Sequence, residues 1–278
     1  MSSTPTEHTQ HYAHGTIDAA IEATLAALGK ENSLLTVTDL AGIDQFHSGG
    51  IEATRMLADW ARVTASDRIL DIGGGLGGAA RLLAQEIGCD VTVIDLTEAY
   101  CRVGEKLTER ANLSDRVHFQ QGNATDLPFE ESSFNVVWTQ HSSMNIADKT
   151  RLYAQIHRVL HSGGRLALHE VIAGSGEPLH FPVPWARSEA TSFLQSQDAF
   201  HAAIVNAGFR EVEWHDLTEW TTSWFQERLK GQQNVPLGTN TLGLHLLVGP
   251  DVGIMSRNFA INAQEGRIRL VQGVFERI

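Results

Sequence analysis

Asp71 lies within a short apolar run, Ile69, Leu70 and Ile72, which ends at the glycines Gly73, Gly74, Gly75, Gly77 and Gly78. A carboxylate beside a glycine turn is suited to receiving a cation. The glycines let backbone approach a ligand with no Cβ in the way, and an acid in a partly dry cleft stabilises a nearby positive charge. A second acid, Asp95, ends the next apolar run (Val91, Val93, Ile94), at the separation of about twenty residues where a carboxylate accepts hydrogen bonds from a ribose diol. The loop GNATDLPF, Gly122 to Phe129, follows a third apolar stretch, Arg116 to Phe119, and offers Asn123 and Ala124 where an adenine edge would lie. Ammonium, ribose and base together describe one nucleoside. Beyond a fourth apolar run, TQHSSMNI places Gln140, His141, Ser142, Met144 and Asn145 on the same rim. An imidazole there can accept a proton from a hydroxyl or an ammonium, or can touch the nucleoside through its backbone.

Gly73, Gly75 and Gly78 also satisfy the GxGxxG spacing of dinucleotide enzymes, so a nicotinamide oxidoreductase is the rival reading. Asp71 argues against it, because a carboxylate at the phosphate end of the turn repels a pyrophosphate. S-adenosylmethionine carries an ammonium and a sulfonium and has no phosphate.

These loops need a frame. A strand stopping at glycines and followed by Ala79, Ala80, Leu82 and Leu83 at helical spacing opens a Rossmann-like βα unit. Strands are expected at the runs ending in Asp95, Phe119 and Thr139 and over Arg165 to Ile172, with helices over Glu98 to Ala111 and Thr150 to Leu160. Open α/β sheets bind ligands outside the carboxyl ends of their strands. Upstream, Ile17, Ala20, Ile21, Thr24, Leu25 and Leu28 mark an amphipathic helix stopping at Gly29, and a second helix spans Ile51 to Ala61. Downstream, Asp198 to Ala207 and Glu219 to Lys230 read as helices, and FREVEWHDLT and GRIRLVQGVFER alternate as two late strands. The span from Thr239 to Gln264 reads as helix broken by glycines, with no function evident.

In chain order the motifs DIGGGLGG, VIDLT, GNATDLPF, SFNVV (Ser133 to Val137) and LHSGG (Leu160 to Gly164) resemble those of class I S-adenosylmethionine-dependent methyltransferases of the small-molecule branch. The ubiquinone/menaquinone C-methyltransferases, the phosphoethanolamine and sarcosine/dimethylglycine N-methyltransferases and the sugar O-methyltransferases are similar. The resemblance runs from about Ala61 to Ala173. Three positions depart from it: Asn123 and Asn135 stand for Asp, and Ser162 for Pro. Asn123 keeps an acceptor for the adenine amino group and brings no charge.

The resemblance implies a doubly wound, mostly parallel seven-stranded sheet with helices on both faces and an N-terminal helical cap. It implies a tail and cap over residues 1–60, a cofactor-binding core over 61–175, and a lid with the rest of the sheet over 176–278. The cofactor is expected to be S-adenosylmethionine, held by Asp71, Gly73, Gly75, Asp95, Leu96, Asn123, Ala124 and Gln140. The methyl acceptor is expected at His47, His141, Asn145 and Trp185, with His141 as the candidate base and the accepting atom open among N, O and C. Phe46 and His47 belong to the cap. Trp185 ends an extended segment stiffened by Pro178, Pro182 and Pro184, which resembles a substrate lid, with a connector whose Trp plugs the core as the alternative. His169, in the fifth strand and followed by Glu170, could approach the same cleft or sit as a satisfied core residue. Trp220 and Trp224 could cage an amine by cation–π contact or simply fill the core. A non-catalytic S-adenosylmethionine-binding module is the second rival class.

Composition narrows the partners. A net charge of −12 over 278 residues disfavours nucleic acid and anionic membranes, which call for clustered Lys and Arg. Cys89 and Cys101 suit a reducing, cytoplasmic setting and read as small buried hydrophobes. No stretch has the length of a membrane span, and the reading admits a homo-oligomer. His8, His11 and His14 fall three apart but lack a carboxylate or cysteine partner, so no metal is expected.

Overall fold

Both faces of the central strands are apolar, and both are covered. In β1 (Arg68–Ile72), Leu70 and Ile72 join one core, while Ile69 joins the other. The same alternation divides Val137 from Val136 and Trp138 in β4 (Phe134–Gln140), and Leu166 and Leu168 from Ala167 in β5 (Leu160–Ala173). The computed structural model describes residues 17–174, 176–232 and 242–278. With β2 (Asp90–Asp95), β3 (Val117–Gln121), β6 (Phe209–Asp216) and β7 (Ile268–Arg277), the strands form one seven-stranded sheet in the order β3-β2-β1-β4-β5-β7-β6. The pairs from β3 through β5 are parallel; β7 is antiparallel to both neighbours. The expected fold class is observed.

The helices, in chain order, are α1 (Ile17–Ala27), α2 (Val37–Asp44), α3 (Gly50–Trp60), α4 (Gly78–Glu86), α5 (Glu98–Arg110), α6 (Lys149–Val159), α7 (Gln197–Asn206), α8 (Thr218–Gln232), α9 (His245–Val248) and α10 (Val252–Gln264). α3 and α4 cover one face of the sheet, placing Leu57, Ala80 and Leu83 against Val91 and Trp138. α6 and α7 cover the other, placing Tyr153, Ile156, Phe200 and Ile204 against Leu70, Leu168 and Phe275.

α1 buries Ile17, Ile21 and Leu25, one per turn, each worth about 1.5–3 kcal/mol. They pack with Leu40 and Ile43 of α2, Leu76 of the glycine loop, Tyr100 and Val103 of α5, and Leu247 and Met255 from α9 and α10. The cap is thus built from both ends of the chain, where a purely N-terminal one was expected.

One element differs from the sequence-based expectation. α2 is an added helix: the Thr36 hydroxyl accepts from the Asp39 amide at 3.1 Å, and the Asp39 carboxylate accepts from the Thr36 amide at 3.0 Å, a reciprocal capping box. The two late strands pair antiparallel at one end of the sheet, although α8, α9 and α10 come between them in the chain; β7 lies between β5 and β6, so β6 and β3 are the edge strands. Among the described residues, no helix is long and apolar enough to cross a membrane. The His8, His11 and His14 spacing lies outside the described residues.

Candidate functional site

The strand order reverses between β1 and β4, and the crevice at such a point is where open α/β sheets bind ligands. A cavity of about 410 Å³ lies there. It is lined by every expected cofactor residue, Asp71, Gly73, Gly75, Asp95, Leu96, Asn123, Ala124 and Gln140. Of the expected acceptor residues, His47, His141 and Asn145 line it as well, and Trp185 does not.

The glycine loop is shaped by contacts that a side chain would destroy. A Cβ on Gly73 would lie 2.5 Å from Ser142 Cβ, and one on Gly74 would overlap the Asp71 carboxylate and come within 2.8 Å of Val93 Cγ1. Gly75 adopts φ +56° and donates its amide to Asp95 Oδ2 at 3.0 Å, while Thr97 N–H donates to Asp95 Oδ1 at 2.8 Å. With the Thr97 side chain as a further donor, Asp95 ties the loop to β2 and keeps acceptor capacity for a ribose hydroxyl.

Asp71 is 2% exposed, and its Oδ2 has no hydrogen-bond partner. Burial, with the nearby Asp95 charge second, pushes its carboxyl up to about 7. An unpartnered buried acid in a cavity is suited to receive a cation, and an ammonium seated there would restore its ionised form. Gln140 complements it. Its Oε1 accepts from Trp138 Nε1 at 2.9 Å and Thr54 Oγ1 at 3.2 Å, whereas Nε2 is a buried donor without a protein partner. These groups fit the ammonium, carboxylate and ribose of S-adenosylmethionine.

Asn123 behaves differently from expectation. Its Oδ1 already accepts from Thr125 N and Thr125 Oγ1, both at 2.9 Å. Both lone pairs serve the loop, so the group it presents is the Nδ2 donor rather than an acceptor for an adenine amine.

At the end of β4 the chain turns out of the sheet at His141, whose φ is +50°, a conformation uncommon for a non-glycine residue. Its amide donates to His169 O at 2.8 Å, fixing the turn against β5. Its Nε2 lies 3.2 Å from Ser48 Oγ, which in turn lies 3.4 Å from His169 Nε2. The rings of His141 and His169 are 4.8 Å apart, and His47 stands 6.3 Å from His141 and 5.8 Å from His169. Burial drives the pKa of all three down, His47 to about 4 and the others well below the usual range. At neutral pH they are three uncharged imidazoles. His47 Nε2 donates to Gly50 O at 3.0 Å, tying it to the start of α3.

Trp185 is the plug of a separate core. It is 2% exposed, packs edge-on against Phe259, and donates Nε1 to Ser192 Oγ at 2.9 Å. Three prolines preset the segment's path, and its apolar side chains fill the space beside α10, so the ring faces Val183 and Phe259 rather than the cavity. It reaches the cavity wall only through its carbonyl, which accepts from Asn145 Nδ2 at 2.8 Å.

Several site-building residues had no counterpart in the sequence reading. Arg81 and Asp44 form an ion pair at 2.8 Å with both side chains fully buried, joining the cap to the first turn of α4. Arg81 also donates to Thr108 Oγ1 at 2.8 Å. An arginine on the inward face of an otherwise apolar helix was the available signal. Ser48, wedged between two imidazoles, gave none. Beneath the rim, Glu170 accepts from Thr139 Oγ1 at 2.9 Å, and Thr139 Oγ1 contacts Ser142 Oγ at 2.5 Å, anchoring the turn from behind.

The comparisons with known proteins agree with this geometry. Residues 70–168 match the family described as "Methyltransferase domain". The chain is 32% identical to the 27-O-demethylrifamycin SV methyltransferase of Amycolatopsis mediterranei over 184 residues, which covers 64% of this chain and 68% of that one. It is 29% identical to the glycine/sarcosine/dimethylglycine N-methyltransferase of Actinopolyspora halophila over 57% of this chain, but spans only 28% of that protein's length. Among solved structures, phosphoethanolamine N-methyltransferase 2 of Haemonchus contortus superposes with a TM-score of 0.72 at 17% identity, covering 95% of this chain and 60% of that one. A geranyl diphosphate methyltransferase in complex with S-adenosylmethionine gives 0.66 at 21% identity, covering 82% and 85%. The chain belongs to the S-adenosylmethionine-dependent methyltransferases that act on small molecules.

Proposed function

We propose that the protein methylates a small acceptor carrying a protic nucleophile, with His141 as the base. The supporting observation is the placement of an uncharged imidazole on the wall of the cavity that holds Asp71 and Asp95. When bound, S-adenosylmethionine supplies a methyl group on a sulfonium, and transfer by in-line displacement needs mainly alignment and exclusion of water. Asp71 would hold the ammonium, Gln140 Nε2 the carboxylate and Asp95 the ribose. Leu96 and Ala124 would flank the base, and the backbone of Gly73 and Gly75 would leave room for the chain between. With His141 Nε2–H donating to Ser48 Oγ and Ser48 donating to His169 Nε2, the lone pair on His141 Nδ1 would take the acceptor's proton, which later passes to water. His47 and Asn145 shape the wall around the acceptor.

Oxygen is the accepting atom in the names of the erythromycin and tocopherol relatives and nitrogen in those of the sarcosine/dimethylglycine relatives; the protic nucleophile proposed here is compatible with either. Two buried cysteine thiols, each pushed up to about 11 chiefly by burial, suit a cytoplasmic protein. The test is His141→Ala. Turnover, read as S-adenosylhomocysteine release, should fall by about 10²-fold or more, while calorimetric affinity for S-adenosylhomocysteine changes little. Unaltered turnover in that variant rules out the base assignment.

A further inference from the structure

The charges around the cavity are one-sided. Asp44, Asp71, Asp95 and Asp148 line it, and no Lys or Arg does so among the described residues. The described segments packed beside it extend this: within them no Lys or Arg precedes Lys30, none lies between Lys30 and Arg55, and none between Leu242 and Arg257. Lys30 itself is bound to Asp39 at 2.6 Å. The cap, the stretch leading into α3, and the segment carrying α9 therefore bring almost no positive charge to the site. An acceptor bearing a phosphate or carboxylate would be desolvated against a wall that offers it no cation among the described lining residues, which is strongly unfavourable.

The acids do not favour a cationic acceptor either, because each is committed. Asp44 is neutralised by Arg81. Asp148 Oδ1 accepts from Arg151 N–H at 2.9 Å, capping α6. Asp95 accepts from two backbone amides, and Asp71 is the receptor for the cofactor's ammonium. What remains for the acceptor is Phe46, His47, His141 and Asn145, all uncharged at neutral pH.

We infer that the acceptor is an electrically neutral molecule methylated on a hydroxyl, and that charge exclusion by the cavity wall sets this specificity. An aliphatic amine would enter as an ammonium at neutral pH, and a phosphorylated or carboxylated metabolite as an anion; an alcohol or phenol enters uncharged and offers the proton that His141 Nδ1 accepts. In balance, the O–H bond breaks, the proton goes to Nδ1, the sulfonium–methyl bond breaks and an O–CH₃ bond forms.

The inference rests on the methyl-transfer reading, and the test separates the two. Calorimetry first measures S-adenosylhomocysteine binding to the full chain; absence of binding defeats that reading itself. The saturated protein is then titrated with three probes sharing one ring system, 2-naphthol, 2-naphthyl phosphate and 2-naphthylmethylamine. The neutral probe is expected to bind more tightly than either charged one by about tenfold or more. Phe46→Lys, which adds a cation to the wall, should raise affinity for the phosphate. Charge exclusion is overturned if either charged probe matches 2-naphthol in the wild-type protein, or if 2-naphthol fails to bind at about 1 mM. A folded Phe46→Lys variant with no gain for the phosphate overturns it equally. Should that variant not fold, the wild-type comparison decides alone.

Discussion

Replacing Asp71 by Asn removes the charge and keeps the shape, which isolates the electrostatic role of the residue. The free carboxyl titrates at about 7 because it is buried beside Asp95. An ammonium ligand binds the ionised form, so its arrival lowers that value, and below pH 7 binding must release a proton. Affinity is therefore full above the free value and is lost as pH falls through it. At pH 6 the ionised fraction is about one tenth, a penalty of about 1.4 kcal/mol or tenfold in Kd. Above about pH 8 the ligand's own α-amino group begins to lose its proton, so affinity peaks between about 7 and 8. A charge-assisted hydrogen bond in a buried site is worth about 1.5–3 kcal/mol, so Asp71→Asn should weaken binding at pH 7.5 by roughly 10- to 150-fold and flatten its dependence between pH 6 and 7.5. S-adenosylhomocysteine is the right titrant, because it keeps the ammonium and lacks the sulfonium. Calorimetry at pH 6, 7, 7.5 and 8 on both proteins measures all of this. An Asn variant that binds as tightly as the wild type, or a wild type whose affinity is flat from pH 6 to 7.5, would refute the cation-receptor argument.

The buried Asp44–Arg81 pair should hold the cap to the glycine-loop helix. Arg81→Met strands an acid whose side chain is fully buried, at a cost of about 3–5 kcal/mol, seen as a Tm lower by on the order of 10 °C. Adding Asp44→Leu should recover much of that loss, and a double variant no more stable than the single one contradicts the assignment. Gly74→Ala places a methyl group on the Asp71 carboxylate and within 2.8 Å of Val93 Cγ1. It should abolish measurable S-adenosylhomocysteine binding, whereas Gly163→Ala, with nothing within 4 Å but a φ of +72°, should cost only about 1 kcal/mol of stability and leave binding intact.

The parts of the site legible in sequence were those whose signal is local. Asp71, Asp95 and His141 each follow an apolar run, and a strand's end can be read from its own residues. Parallel strands then bring those ends together without further information, because consecutive βα units stack in a known sense. The capping box of Thr36 and Asp39 was equally local, yet α2 was not among the expected helices, because its short apolar pattern runs into the loop that follows it. What else stayed hidden depends on pairing across the chain. Arg81 and Asp44 are 37 residues apart and Ser48 and His169 are 121 apart, and no periodicity links them. The position of β7 between β5 and β6 is fixed by Val271 and Phe275 on one face and Val274 on the other, a requirement that appears only once the sheet exists. Trp185 misled because an aromatic after three prolines suits a lid and a plug alike; only the neighbouring Phe259, Ile268 and Leu270 decide. Asn123 misled because its competition with Thr125 for the same lone pairs is a matter of loop conformation.

Burial acts in one sense on Asp71 and on the three histidines at the cavity, toward the uncharged form, and the consequences at its two ends are opposite. At the acidic end it raises Asp71, creating a carboxyl that gains its charge fully only when a cation arrives. At the other end it lowers His47, His141 and His169, which keeps their lone pairs open at neutral pH. A cation seated at Asp71 reverses the effect there and reinforces it here, since a positive charge in the cavity further disfavours an imidazolium. The imidazoles thus stay in their base form while the acids turn ionic. Had the rim carried Lys in place of His, a basic site would have required deprotonating an amine against the same burial, and an anionic acceptor would have found a partner. On the proposed reading, the choice of imidazole would therefore fix both the protonation state of the base and the charge of the molecule it meets.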